Sequence, residues 1–206
     1  MPSAPFTPSD ENHVANGIHK TDIPGLFVVV ATKHPDERGH YAELMRIPEL
    51  NQVIGDPFEP VQINHSHSHK QVIRGFHAEN WNKLVTVIHG YCFSVLVDVR
   101  PDSPTFGQSI TIELGDGNNA LYGGIFIPAG VANSALALSE PVEYLYFVDQ
   151  LYSERDTSGD VSISLFDPDI AAPWPIDQSQ MILSERDRQS ISLREKFPQK
   201  FHQDSP

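Results

Sequence analysis

The sequence holds one cysteine, Cys92, in 206 residues, so no internal disulfide can form and nothing points to an oxidising compartment. Positive charge is scarce: 14 Lys and Arg stand against 27 Asp and Glu, a formal net charge of −13 at pH 7. Nucleic acids and anionic membrane surfaces need a basic footprint, so neither is expected as a partner. No apolar run reaches membrane-spanning length. The polar start MPSAPFTPSDENHVANG lacks the charged-then-apolar order of a signal peptide. The expectation from these shortages is a cytoplasmic protein. Helical periodicity is also thin, confined to RIPELNQVIG and part of the tail from Ser184.

Turn-forming residues are plentiful, with 17 prolines and 13 glycines spread along the chain. Period-two stretches lie between them: GLFVVVAT, YAELMR, VQIN, QVIRGF, KLVTVIHG, YCFSVLVDVR, QSITIEL, ALYGGIFI, NSALAL and VEYLYFV. These read as strands separated by turns such as HPDERG, PDSPTFG and GDGNN. In YCFSVLVDVR the residues Tyr91, Phe93, Val95, Val97 and Val99 share an apolar face. Ser94, Asp98 and Arg100 share the other, a pattern that Leu96 breaks, which predicts a half-buried strand. About ten short strands at close spacing predict an all-β fold, a sandwich, jelly roll or barrel. We read residues 1–206 as one domain, with a core over about 22–190 and polar arms at 1–20 and 195–206.

The most conspicuous stretch is VQINHSHSHKQVIRGFH, in which His65, His67 and His69 alternate. Residues two apart on a strand share a face, so these imidazoles point one way and Asn64, Ser66 and Ser68 the other. Two readings follow. In one, the histidines line a cavity and bind a metal, with His77, Glu79 or His89 as a further ligand. In the other, the Asn/Ser/Ser face lines the cavity and the histidines lie outside it.

A resemblance chooses between them. The segments DERGHYAE, QINHSHSHKQVIRGFH, KLV, VDVRPDSPTFG, IPAGVANSALALSE, EYLYFVDQLYS, FDPDIAAPWP and LSERD stand in an order similar to the dTDP-4-dehydrorhamnose 3,5-epimerase family, from about residue 22 to 190. The resemblance implies a cupin-type jelly roll without a catalytic metal and with no cofactor. It implies a homodimer that inverts C3 and/or C5 of a nucleotide-diphospho-4-keto sugar through an enolate, in surface polysaccharide sugar biosynthesis. The family pattern Gln-x-Asn-x-Ser-x-Ser corresponds to Gln62, Asn64, Ser66 and Ser68, so the histidines fall between the functional positions.

Such a reaction needs a base, a proton donor on the opposite face and a positive group near the enolate oxygen. The resemblance assigns His77 as base, Asp187 as its hydrogen-bonding partner, Lys83 as enolate stabiliser and Tyr146, with Tyr144 as its rival, as proton donor. Arg74 would hold the diphosphate or the sugar. Gln62, Asn64 and Ser66 would line the pocket, Asn133 and Arg186 would contact substrate, and Arg38 and Glu43 would reach into the neighbouring subunit's site. Strict alternation puts Arg74 and His77 on opposite faces, so we predict a bulge or kink at or near Gly75.

Two features depart from the family pattern. Only AENWN separates His77 from Lys83, and Asn133 stands where a substrate-contacting histidine is expected. Both resemble the branch acting on GDP-linked 4-keto heptoses. The competing functions are a metal-dependent cupin, a dioxygenase or isomerase using His65, His67 and His69, and a non-catalytic sugar-binding cupin.

Overall fold

A computed structural model describes residues 3–117 and 119–201. The parts of the expected arms at 1–2 and 202–206 lie outside the described residues. In chain order the elements are β1 (Ala4–Pro5), β2 (His13–Ala15), β3 (Ile18–Lys20), β4 (Phe27–Val30), β5 (Lys33–Asp36), β6 (Gly39–Ala42) and α1 (Ile47–Leu50). There follow β7 (Gln62–Ser68), β8 (Ile73–Ala78), β9 (Lys83–His89), β10 (Tyr91–Asp98) and β11 (Ser109–Gly115). The last are β12 (Gly123–Ile127), β13 (Val131–Ala137), β14 (Val142–Val148), β15 (Val161–Ser162), α2 (Glu185–Arg188) and α3 (Leu193–Lys196).

The strands form two main sheets, ordered β1-β11-β10-β13-β8-β15 and β2-β3-β4-β12-β9-β14-β7, while β5 and β6 pair as a separate hairpin. Apolar side chains of both sheets meet in one cluster: Val85, Val87, Ile125 and Ile127 from one, Cys92, Leu96, Ile110, Ile112 and Leu114 from the other. This face-to-face packing is the expected jelly-roll architecture. The short helices fall where the weak periodicity put them. Each begins on a local device: Pro48 enters the first turn of α1, and Ser184 and Ser192 accept backbone N–H groups at the starts of α2 and α3.

The structure differs from the expectations in two places. Neither described arm is free: β1 pairs parallel with β11 and β2–β3 extend the seven-stranded sheet to β4, while at the other end Phe197 is buried in an apolar cluster against which Phe201 packs. Polar composition hid this, since edge strands keep one side in water. The second difference is β10, which is buried on both faces. Cys92 and Leu96 join the cluster between the sheets, and Val95, Val97 and Val99 join a second cluster under the C-terminal segment, with Ile170, Met181 and Leu193. The polar residues on the even face are satisfied internally: Asp98 accepts from Arg100 at 2.8 and 2.7 Å and from Thr105 at 2.6 Å.

The irregularity expected at Gly75 is present. Asn133 pairs with His77 and Ala135 with Arg74, so Gly75 and Phe76 face Ser134 alone. This bulge rephases the strand and brings both Arg74 and His77 to the same cavity. Only glycine fits there. Its φ is +122°, and a Cβ would stand 2.5 Å from the Asn133 carbonyl oxygen and 2.7 Å from Ser134 Cα, both backbone atoms of the next strand. Gly75→Ala should therefore destabilise the protein by roughly 3 kcal/mol in urea unfolding. An unchanged midpoint would contradict this geometry.

Candidate active site

A cavity of about 770 Å³ opens between the two sheets. Ten of the twelve site residues expected from the sequence line it: Gln62, Asn64, Ser66, Arg74, His77, Lys83, Asn133, Tyr146, Arg186 and Asp187. Period-two geometry explains the β7 contribution. Exposure alternates along Gln62–Ser68, with the polar residues turned to the cavity and Ile63, His65 and His67 turned to solvent. Gln62 Nε2 donates to Asn64 Oδ1 at 2.7 Å, and Gln62 Oε1 accepts from the Tyr152 backbone N–H at 2.9 Å.

The alternating histidines lie on the outer face, each against a glutamate. His65 Nε2 is 2.5 Å and His67 Nδ1 2.7 Å from the two carboxylate oxygens of Glu143, and His69 Nδ1 is 2.7 Å from Glu140. Hydrogen bonds from these imidazoles hold the Glu143 carboxyl below its ordinary range. For Glu140, the Lys70 backbone N–H contributes most, followed by His69. Among the described residues no group of three or more His, Cys, Asp or Glu is arranged to hold a metal ion. The metal-cupin reading thus lacks a cavity-facing imidazole cluster.

His77 comes from β8, in the six-stranded sheet, and its Nε2 lies 2.6 Å from Asp187 Oδ1. Asp187 is fixed in turn: Ser184 Oγ donates to its other oxygen at 2.8 Å and accepts its backbone N–H at 3.2 Å. Asp187 is buried. Burial opposes its charge, but the bonds from His77 and Ser184 outweigh that cost and hold its carboxyl below the usual value. A carboxylate accepts, so Nε2 carries the hydrogen, and in the neutral imidazole the lone pair is then on Nδ1. The arrangement orients an imidazole to take a proton at Nδ1.

Tyr146 comes from β14, in the opposite sheet, where it pairs with Asn64 on one side and Val85 on the other. Burial, and after it the charge of Glu79, push its phenol above the ordinary value, so it carries its proton at neutral pH. Tyr144, two residues away on the same strand, also lines the cavity and lies deeper, and burial raises it further. A base on one wall and a protonated phenol on the facing wall can serve opposite faces of one bound carbon.

Lys83 begins β9 and is 5% exposed. Its ammonium donates to Glu79 Oε2 at 2.5 Å, to Asn133 Oδ1, and more loosely to the His77 carbonyl oxygen at 3.4 Å. Asn133, expected to contact substrate, thus turns its oxygen to Lys83. Arg74 donates to Ser68 Oγ at 3.1 Å and to the His67 carbonyl at 3.4 Å, leaving other guanidinium hydrogens for a ligand.

Arg38 and Glu43 are not part of this cavity. Arg38 sits at the exposed β5–β6 turn, paired with Asp36 at 2.6 Å, and Glu43 pairs with Arg46 at 2.6 Å on the surface. Sequence reasoning missed several cavity residues. Glu79 had figured only as a candidate metal ligand, although it lies two residues past His77 and shares its face. Trp81, Tyr152 and Arg155 carried no local signal because a loop brings them together. The Arg155 guanidinium lies 4.4 Å from the Trp81 ring and 5.2 Å from that of Tyr152, and Asp160 grips it at 2.5 and 2.7 Å. This loop braces the short link after β8: Gln150 Nε2 donates to the Asn80 carbonyl at 2.8 Å, and Asp149 holds Asn82 at 3.0 and 2.7 Å.

Comparison with known proteins gives the following. A family model described as dTDP-4-dehydrorhamnose 3,5-epimerase matches residues 20–195. The dTDP-4-dehydrorhamnose 3,5-epimerase of Methanothermobacter thermautotrophicus is 36% identical, covering 85% of this chain and 94% of its own. A solved dTDP-6-deoxy-D-glucose-3,5-epimerase from Legionella pneumophila, in complex with dTDP-4-keto-L-rhamnose, is 33% identical with a TM-score of 0.74, covering 86% of this chain and 92% of its own. A 3′-monoepimerase from Streptomyces bikiniensis, in complex with dTDP-quinovose, is 27% identical with a TM-score of 0.76, covering 87% and 90%.

The Asp187 pair predicts a pH signature. A carboxyl whose folded pKa is depressed contributes stability that is present above its unfolded pKa of about 4 and lost as pH falls through the lower folded value. Asp187→Asn should be about 2 kcal/mol less stable than the parent at pH 5. That gap should close below about pH 4 in denaturant midpoints taken across the range. A gap that widened on acidification would contradict the pairing.

Proposed function

The chain belongs to the dTDP-4-dehydrorhamnose 3,5-epimerase family, and from that premise we propose that its cavity epimerises C3, C5 or both of a dTDP-4-keto-6-deoxy sugar. The observation that carries this reading is the pairing of walls. His77, oriented by Asp187, comes from one sheet, and Tyr146, held as phenol, comes from the sheet facing it.

The ketone at C4 acidifies the neighbouring C–H bonds. His77 Nδ1 removes a proton, and the electron pair delocalises onto the carbonyl oxygen as an enolate. The Lys83 ammonium stabilises that charge in a site largely withdrawn from water. Tyr146 then delivers a proton to the opposite face and inverts the centre. Asp187 stays ionised and stabilises the imidazolium formed on the way.

Arg74 and Arg186 supply positive charge for the diphosphate in a chain that is acidic overall. Gln62, Asn64 and Ser66 position the sugar or the base by hydrogen bonds. The chain acts as a homodimer in which Arg38, on its exposed hairpin, and Glu43 complete the partner's site. Among the described residues no helix is long and apolar enough to cross a membrane, in keeping with an enzyme of sugar biosynthesis acting in the cytoplasm.

The test is solvent exchange. In deuterated water with a dTDP-4-keto-6-deoxyhexose, the parent should add one mass unit per inverted carbon, which also counts the positions. His77→Ala and Tyr146→Phe should each slow incorporation by about 10²–10⁴-fold. GDP- and UDP-linked 4-keto sugars run alongside test the nucleotide. If the parent exchanges none of the three, the epimerase reading fails; if exchange survives both substitutions, the assignment of base and acid fails.

A further inference from the structure

The Lys83 ammonium has three N–H donors, and all three are engaged at rest. A substrate oxygen can receive a hydrogen bond from it only by displacing one acceptor. The three bonds are unequal. Glu79 Oε2 lies at 2.5 Å and is charge-assisted, Asn133 Oδ1 is close, and the His77 carbonyl is at 3.4 Å, near the limit of hydrogen bonding.

Glu79 and Asn133 approach Lys83 from different strands. Asn133 belongs to β13, where it pairs with His77 of β8, and Glu79 directly follows β8. Lys83 itself starts β9 in the opposite sheet. The two short bonds therefore tie the lysine across the gap between the sheets, and the loose third donor lies on the His77 side.

We propose that Glu79 and Asn133 form a clamp that fixes Lys83 by two of its hydrogens and presents the third to the substrate's ketone oxygen in place of the His77 carbonyl. This rests on the epimerase reading and adds to it a role for Glu79, as a positioning residue acting through Lys83. It also gives Asn133 a role different from direct substrate contact. The two residues act together: Glu79 supplies the charge that a buried ammonium requires, and the Asn133 oxygen supplies direction without adding a second negative charge beside the developing enolate. Sub-ångström placement of such a donor matters, because a misplacement of about 1 Å can cost on the order of 10²-fold in rate.

The test is a double-mutant cycle on solvent-deuterium incorporation, with folding checked by thermal melts. Glu79→Ala and Asn133→Ala should each lower kcat roughly 10- to 100-fold and leave KM within about threefold. In a Lys83→Ala background neither should cause a further loss. Should Glu79→Ala fail to fold, Glu79→Gln, which keeps an acceptor and removes only the charge, should lower kcat by less than about 10-fold in the parent and cause no further loss in the Lys83→Ala background. Additive losses in the Lys83→Ala background, or a loss confined to KM, would overturn the clamp, since Glu79 would then act on the substrate itself.

A second readout needs no substrate and so separates the clamp from the epimerase reading. In reductive methylation of the whole protein, Lys83 should react more slowly than the exposed Lys70 and Lys196. Glu79→Gln and Asn133→Ala should each release that protection. Equal Lys83 reactivity in parent and variants would overturn the clamp even where exchange activity is intact.

Discussion

One extra residue in one strand decides where the candidate base points. Between Arg74 and His77, β8 carries two residues opposite a single Ser134 of β13. Without that slip the two side chains would project from opposite faces of the sheet, and either the guanidinium or the imidazole would leave the cavity. Ser134 is itself held firmly, its hydroxyl bridging the Val95 N–H and carbonyl at 3.1 Å each. The bulge thus leans on a fixed neighbour, and the absence of a side chain at Gly75 lets the two backbones approach closely.

From that constraint the charge layout follows. The chain is acidic as a whole, yet its main cavity gathers Arg74, Lys83, Arg155 and Arg186. Each buried cation described there meets a carboxylate at short range: Lys83 meets Glu79, and Arg155 meets Asp160. The more exposed Arg74 keeps hydrogens to spare. Buried charges need such compensation, and the guanidinium left with free donors is the one suited to an anionic ligand. The carboxylate beside the candidate base is placed differently: buried Asp187 accepts from His77 and from Ser184, and those bonds favour its ionised form.

The histidine run shows why composition alone misleads. Imidazoles at alternate positions favour a metal reading as long as the inner face of the strand is unknown. In the fold they meet Glu140 and Glu143 across the edge of the seven-stranded sheet, and the small polar residues between them face the cavity. The resemblance had already favoured this orientation; the pairing of β7 with β14 explains it physically, because Tyr144 and Tyr146 share the inner face with Ser66 and Asn64.

Much of the fold and site could be read in the letters, because the information is local. Alternation marks strands, Pro and Gly mark turns, serine caps mark the short helices, and a clash of phase between Arg74 and His77 flags Gly75. What could not be read is what lies against each face. The even face of β10 looks like a solvent face until the opposite sheet covers it, and the polar segment before residue 20 looks like an arm until it finds sheet edges. Glu79 and Arg155 gain their roles only when β9, β13 and the loop after β14 converge. Side-chain direction along a strand is set by the backbone's own two-residue repeat, whereas partners across a cavity are set by the register of separate strands, and that register exists only once the sheets have closed on each other.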